Sequence, residues 1–406
     1  MPAKEGTETT RSHPQGARGQ EQTQAVRRHW TRRALSLLPL LALAVILSAC
    51  TFKGEAMTID PKSLEGKDIH SLYALVFWLA TAVFIIVETM LFYSVIRFRR
   101  RPGAGLPAQI HGNNRVEAVW TIIPVVLLLI VAVPTVRLII REASPAPADA
   151  THIKIIGHQF WWEVQYPDTK PEIITANEIH IPVNKTVEFE LTSADVQHAF
   201  WVPLMGSKMD VYPNRVNRLK FTPTETGDFF GQCSELCGEG HGFMKMRVMV
   251  QNNNDFQAWM MEQQQVPLTA AGPATPGAAT PGAATPTAAR PSGPAPTLVP
   301  PTPKPHDAKY DDPALIAKGR TLVVNGACAG CHTIDGTNAK GKVGPNLTHV
   351  GDRTTIVAGW LENTPDDIMK WVHNPQDVKP GALMPAFPNF TQDDLEAIAA
   401  YLTNLR

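Results

Sequence analysis

Residues 233–244 read C-S-E-L-C-G-E-G-H-G-F-M. Cys233 and Cys237 are separated by three residues and followed by His241 and then Met244. Thiolate, imidazole and thioether form a soft to borderline donor set that favours copper over magnesium or calcium, with zinc a further taker on ligand type alone. One loop cannot easily surround a metal, so a ligand from another strand is expected. His198, in D-V-Q-H-A-F-W-V-P at 195–203, lies 35 residues before Cys233, about the distance in which a sheet returns on itself. One cysteine, two histidines and a methionine would make a mononuclear blue-copper site. The second cysteine changes the count. Two thiolates can bridge two coppers, each capped by one histidine, leaving Met244 and a backbone carbonyl as weak axial ligands.

Around this loop, short runs of strand composition occur at His152–Ile156, Ile179–Ile181, Thr186–Leu191, Arg218–Phe221, Asp228–Gly231 and Lys245–Val250. Pro, Gly and Asn turns separate them. About a hundred residues of this kind, 150–252, predict a β-sandwich or small barrel that needs no helix to fill it.

The stretch from Asp195 to Met244 resembles the dinuclear CuA domain of subunit II of haem-copper cytochrome c oxidases. The resemblance is carried by D-V-Q-H-A-F-W-V-P, by G-S-K-M-D-V-Y-P-N-R-V-N at 206–217 and by the 233–244 loop. It implies a cupredoxin-like fold and a copper ligand set of His198, Cys233, Glu235, Cys237, His241 and Met244. Glu235 would give its backbone oxygen to copper and its side chain to a magnesium shared with subunit I. Copper-delivery proteins with C-x3-C resemble thioredoxin and need helices that this segment lacks. Quinol-oxidising relatives lose the copper ligands, and all six are present here. The segment G-H-Q-F-W-W-E-V-Q-Y at 157–166 resembles one that lies over the copper site in this family. There a tryptophan accepts electrons, but this chain has Phe160 at that place, followed by Trp161 and Trp162. Any of the three aromatics is a candidate for that role.

Upstream, two apolar runs, Leu72–Ile96 and Ala118–Ile140, are each long enough to cross a bilayer as a helix. The intervening Arg97, Arg99, Arg100, Arg101 and Arg115 place their loop in the cytoplasm by the positive-inside bias. The run V-E-A-V-W-T-I-I-P at 116–124 resembles the start of the same family's second span. Glu88, inside the first span, is either part of a proton path or partner contact, or a structural hydrogen bond between helices. Glu117 opens the second span, where a carboxylate meets the helix dipole favourably; a proton path is its alternative role. Pro124 and Pro134 predict kinks.

Before these spans, residues 1–26 are polar and mixed, and read as disordered or as the product of an upstream start codon. Arg27, Arg28, Arg32 and Arg33 then precede the apolar run Ala34–Leu47, which has the form of a signal peptide. Leu47-Ser48-Ala49-Cys50 resembles a bacterial lipobox, with lipidation expected on Cys50; a chance cysteine after an ordinary signal is the other reading.

Beyond the β domain, residues 263–308 carry repeats of A-T-P-G-A and read as a Pro/Ala-rich tether. Residues 309–406 then form a separate all-α domain. Its C-A-G-C-H at 328–332 offers Cys328 and Cys331 for covalent haem attachment and His332 as an iron ligand. Met384, in K-P-G-A-L-M-P-A-F, is the expected second axial ligand, with Met369, His349 and His373 as rivals. The pattern resembles class I cytochromes c, as does G-P-N-L at 344–347.

Formal net charge is zero, with 37 basic and 37 acidic residues, which gives no support for nucleic-acid binding. The resemblance implies a multi-pass subunit of a bacterial plasma membrane oxidase, with copper and haem domains on the outer side. Its expected partners are subunit I, subunit III and a cytochrome c or other donor. The chain would act as an electron wire, with no oxygen-reducing or other catalytic residue of its own. The electron-receiving subunit of a nitrogen-oxide reductase, and a standalone membrane-anchored carrier, are the competing functions.

Overall fold

The computed structural model of the chain describes residues 57–100, 103, 105, 109, 111–271 and 305–406. Residues 1–26, the apolar run 34–47 and Cys50, on which lipidation is expected, lie outside them, as do Arg101 and residues 272–304.

Two long helices open the described chain: α1 (Leu64–Arg97) and α2 (Asn114–Glu142), both long and apolar enough to cross a membrane. Helix α1 begins eight residues before the apolar run, because Ser63 caps it by accepting Gly66 N–H at 2.9 Å. The first turn is anchored on the β domain, with Glu65 and Gly66 buried. Glu65 Oε2 accepts Thr222 N–H at 2.7 Å, and Leu64 N–H donates to Thr222 O at 3.0 Å. Ser63 Oγ donates to Met205 O. At the same level Arg141 pairs with Asp68 at 2.5 Å, while Lys220 Nζ donates to Arg141 O at 2.9 Å and Ser144 O at 2.8 Å. The hairpin is thus bolted to the β domain at its outer end. Glu88 is half-buried on α1, and Glu117 sits exposed in the first turn of α2.

The β domain is a sandwich of two five-stranded sheets. One runs β3-β2-β1-β5-β8, from β1 (Thr151–His158), β2 (Trp161–Tyr166), β3 (Ile173–Ala176), β5 (Val187–Ser193) and β8 (Asn217–Phe221). The other runs β4-β10-β9-β6-β7, from β4 (Glu178–Pro182), β6 (His198–Trp201), β7 (Met209–Val211), β9 (Gly227–Cys233) and β10 (Lys245–Gln251). Pairs β1–β5 and β4–β10 are parallel; the rest are antiparallel. Strands β1, β5 and β9 alternate buried and half-buried residues, the period-2 signature of one face turned inward. Trp162, Tyr166, Phe189, Phe200 and Phe221 fill the core between the sheets. Four strands, β2, β3, β6 and β7, are additions to the sequence reading. In β2 only the leading Trp161 breaks the alternation, whereas β6 is buried on both faces and shows none.

Helix α3 (Asn253–Gln263) closes the sandwich edge, with Trp259 stacked on His180 at 4.1 Å. The expected tether is corrected at its start. A short helix, α4 (Leu268–Ala271), follows, and Ala270 is buried in the core of the C-terminal domain. Thr269 Oγ1 donates to Asn404 O at 2.6 Å, and Arg320 Nε to Ala270 O at 2.9 Å. An alanine-rich turn fits a groove that no local pattern announces.

The C-terminal domain packs α5 (Pro313–Val324) against α8 (Gln392–Thr403), with α6 (Pro365–His373) and α7 (Pro375–Val378) beside them. Asp312 caps α5, which has Pro313 in its first turn, and Thr391 and Asp394 form a capping box on α8. A two-stranded hairpin, β11 (Thr355–Ile356) and β12 (Leu361–Glu362), projects from this body.

Candidate metal centres

Strand β6 presents His198, strand β9 ends on Cys233, and the following loop supplies the remaining donors before β10 begins. The ladder sets Phe200 opposite Cys233, so His198 and the loop meet at one end of the sheet. Two backbone bonds close the loop: Cys233 N–H to Met244 O at 2.8 Å and Ser234 N–H to Ala199 O at 3.0 Å.

The two sulfurs lie 3.8 Å apart, too far for a disulfide. Cys233 Sγ is 4.0 Å from His198 Nδ1 and 3.3 Å from Glu235 O. Cys237 Sγ is 3.7 Å from His241 Nδ1 and 3.9 Å from Met244 Sδ. Each thiol therefore has its own imidazole and its own weak donor, an arrangement suited to two bridged metals. His198, Cys233, Cys237 and Met244 are buried, while Glu235 and His241 are half-buried. The thiols titrate as a pair. The hydrogen bond between them holds Cys233 well below the usual thiol range and pushes Cys237 above it. Burial opposes protonation of His198, but hydrogen bonding to Cys233 and Asp195 outweighs it and raises its pKa.

Asp195 emerges as a supporting residue that motif reading left without a role. Its Oδ1 lies 2.8 Å from His198 Nε2, so the ring's other nitrogen, Nδ1, faces the sulfurs. Carboxylates commonly fix metal-binding imidazoles in this way. Gln159 is also new: its Nε2 donates to Cys237 O at 2.6 Å.

The three aromatic candidates separate. Trp162 is fully buried beneath the site, its ring 5.8 Å from that of His198. The Phe160 ring lies against Gly240 of the cysteine loop; a Cβ there would sit 2.4 Å from Phe160 Cδ2. Trp161 stacks on His158 at 4.3 Å. Phe160 and Trp161 also border a cavity of about 270 Å³ in the C-terminal domain, whereas Trp162 does not.

That cavity is lined by Cys328, Cys331, His332 and Met384 and is otherwise largely apolar. Cys328 and Cys331 are unbridged. His332 Nδ1 lies 2.8 Å from Pro345 O, which leaves Nε2 as the nitrogen available to a metal. Burial lowers its pKa, which favours the neutral ring that metal ligation requires. The rivals to Met384 fall away from the cavity: Met369 Sδ meets Gln392, His349 is buried elsewhere, and His373 is exposed. An apolar pocket with paired thiols and an imidazole–thioether couple fits a covalently held haem.

Residues 57–138 match the family described as cytochrome c oxidase subunit II, transmembrane domain, and residues 171–252 match its periplasmic domain. Residues 316–406 match cytochrome c. The chain is 32% identical to cytochrome c oxidase subunit 2 of Alkalihalophilus pseudofirmus over 384 residues, covering 92% of this chain and 98% of that one. It is 29% identical to the Bacillus subtilis protein of the same name, covering 93% and 98%. Among solved structures it is similar to the periplasmic domain of subunit II of cytochrome oxidase (CoxB) of Bradyrhizobium japonicum. That match has 35% identity and a TM-score of 0.29, over 30% of this chain and 97% of that one.

Proposed function

The chain belongs to the family of cytochrome c oxidase subunit II, here with a C-terminal cytochrome c domain, and we propose that it carries electrons from a donor through its own two redox sites to the oxygen-reducing subunit. His198, Cys233, Cys237, His241 and Met244, with Glu235 O, would hold a dinuclear copper centre. Cys328, Cys331, His332 and Met384 would hold haem c. Both groups supply one-electron chemistry when bound. The half-buried Glu235 side chain is free to serve a magnesium at the subunit I boundary. In this reading the hairpin spans a bacterial plasma membrane and the copper and haem domains stand on its outer side.

One observation carries the proposal. Phe160 touches the cysteine loop on one side and borders the His332/Met384 cavity on the other. The protein's role is then to hold both sites rigid, exclude water and keep one aromatic ring between them. The first test is copper and iron content and the copper EPR spectrum of the purified full chain, followed by rapid mixing with a reductant. Two coppers sharing one unpaired electron, one haem, and haem reduction followed by copper reduction are expected. One copper with a single-nucleus spectrum, or haem reduction that the copper never follows, would overturn it.

A further inference from the structure

The C-terminal domain bears on the β domain through the β11–β12 hairpin. The hairpin's base meets Glu178, the first residue of β4 and 2% exposed. Glu178 Oε1 accepts Thr354 N–H at 2.8 Å, Thr354 Oγ1 at 2.6 Å, Thr355 N–H at 2.8 Å and Thr355 Oγ1 at 3.1 Å. All four hydrogen bonds of this carboxylate among the described residues cross to the other domain. Buried Arg353 supplies the opposite charge next to it; its Nη2 donates to Asn346 O at 2.5 Å. A buried carboxylate satisfied only across an interface has no reason to be there unless the interface forms.

The hairpin's tip is shaped for the same surface. Val357, Ala358 and Gly359 have φ of 56°, 59° and 74°, a left-handed run that non-glycine residues adopt at a cost. It turns Ala358 onto Trp161 and Ala176, where it is 1% exposed, and Ala358 O accepts Lys245 N–H at 3.2 Å. On the flank, Trp360 packs edge-on to Phe243 at 4.6 Å. A second contact, Lys379 Nζ to Phe160 O at 2.6 Å, bears on the adjacent aromatic from the far side of the cavity.

We propose that the hairpin Thr354–Glu362 is a docking arm, and that Glu178 is the latch that seats it so that the His332/Met384 cavity faces Phe160 and Trp161. Glu178 is thus a positioning residue. The inference rests on the electron-carrying reading for its purpose, but its structural content stands by itself. The interface centres on one buried carboxylate and a shaped turn, and the C-terminal domain's nine basic and eleven acidic residues give it little net charge.

The test uses the full chain with both centres loaded. Hydrogen–deuterium exchange is read at 354–362 and 159–162, and copper reduction is timed after haem reduction. Glu178→Ala is expected to raise exchange at 354–362 and slow copper reduction, each at least about tenfold, with metal content and spectra unchanged. Glu178→Gln should fall between, since an amide oxygen still accepts hydrogen bonds but one of the two carboxylates facing Arg353, Glu178 and Asp352, loses its charge. The double variant Thr354→Val, Thr355→Val, on the other domain, should match Glu178→Ala. Combining all three should add little. Unchanged exchange at 354–362 in Glu178→Ala overturns the latch, whatever the rate. Loss of copper without change in the hairpin also overturns it, by making Glu178 a fold residue of its own domain. If the wild-type haem is reduced and the copper never follows, the functional reading fails, and exchange alone still decides the latch.

Discussion

A single carboxylate decides how His198 meets the sulfurs. Asp195 Oδ1 holds Nε2 at 2.8 Å, and Asp195 Oδ2 also accepts Gln159 N–H at 2.7 Å. Replacing Asp195 with Ala should leave the sandwich folded by circular dichroism but lower copper affinity about 10–100-fold, as loss of such an orienting partner does elsewhere. Competition with a copper chelator measures it. The cluster itself is legible in the sequence, because Cys233, Cys237, His241 and Met244 fall within twelve residues. Asp195 sits three residues from His198 and was in plain view within the motif, but nothing in a spacing tells an orienting carboxylate from a turn residue. Glu178 was beyond reach, since its partners lie 176 and 177 residues away.

Among the elements, the crossing of α5 and α8 sets the cytochrome c domain. Gly319 lets the two backbones approach: a Cβ there would fall 1.8 Å from Ala397 O, which is backbone and cannot rotate away. Gly319→Ala should destabilise this domain by about 2 kcal/mol, the usual scale of overpacking, read as a lower thermal midpoint of the haem absorbance. The starts of both helices are local signals: Asp312 caps α5 with Pro313 in its first turn, and Thr391 caps α8. Strand β6 is hidden because H-A-F-W is buried on both faces and lacks the alternation that marks a strand, whereas β2 alternates over W-E-V-Q-Y and was open to the same reading as β1. Helix α4 escaped for another reason. Four residues, L-T-A-A, carry no period of their own and are held by Asn404 and Arg320.

Across the whole molecule, the junction of the two domains carries a pH dependence. Asp352 Oδ2 accepts Gln263 Nε2 at 3.3 Å, and burial, then the nearby Glu262, raises its pKa from 3.8 to about 7. A raised carboxyl costs nothing below about pH 4, where it is protonated folded or unfolded. The cost grows as pH climbs to about 7 and is constant above. Asp352→Asn should therefore stabilise the chain at about pH 8, by about 1–2 kcal/mol after allowance for partial exposure, and the gain should vanish near pH 4. Thermal melting of both proteins across that range checks it; a gain that is the same at both ends would exclude Asp352 as its source.

The seating of α4 on the cytochrome c domain changes how far that domain can travel. The last turn of α3 ends at Gln263 and α4 starts at Leu268, so only Gln264, Gln265, Val266 and Pro267 lie between them. The described residues on either side of 272–304, Ala270 and Tyr310, both belong to the cytochrome c domain's core. That long Pro/Ala stretch therefore joins two points of one body and does not set the separation of the two. A fully extended leash of four residues and its end bonds reaches about 15–18 Å. So long as α4 stays seated, that short strip of chain holds the domain near the sandwich as a hinge holds a door near its frame.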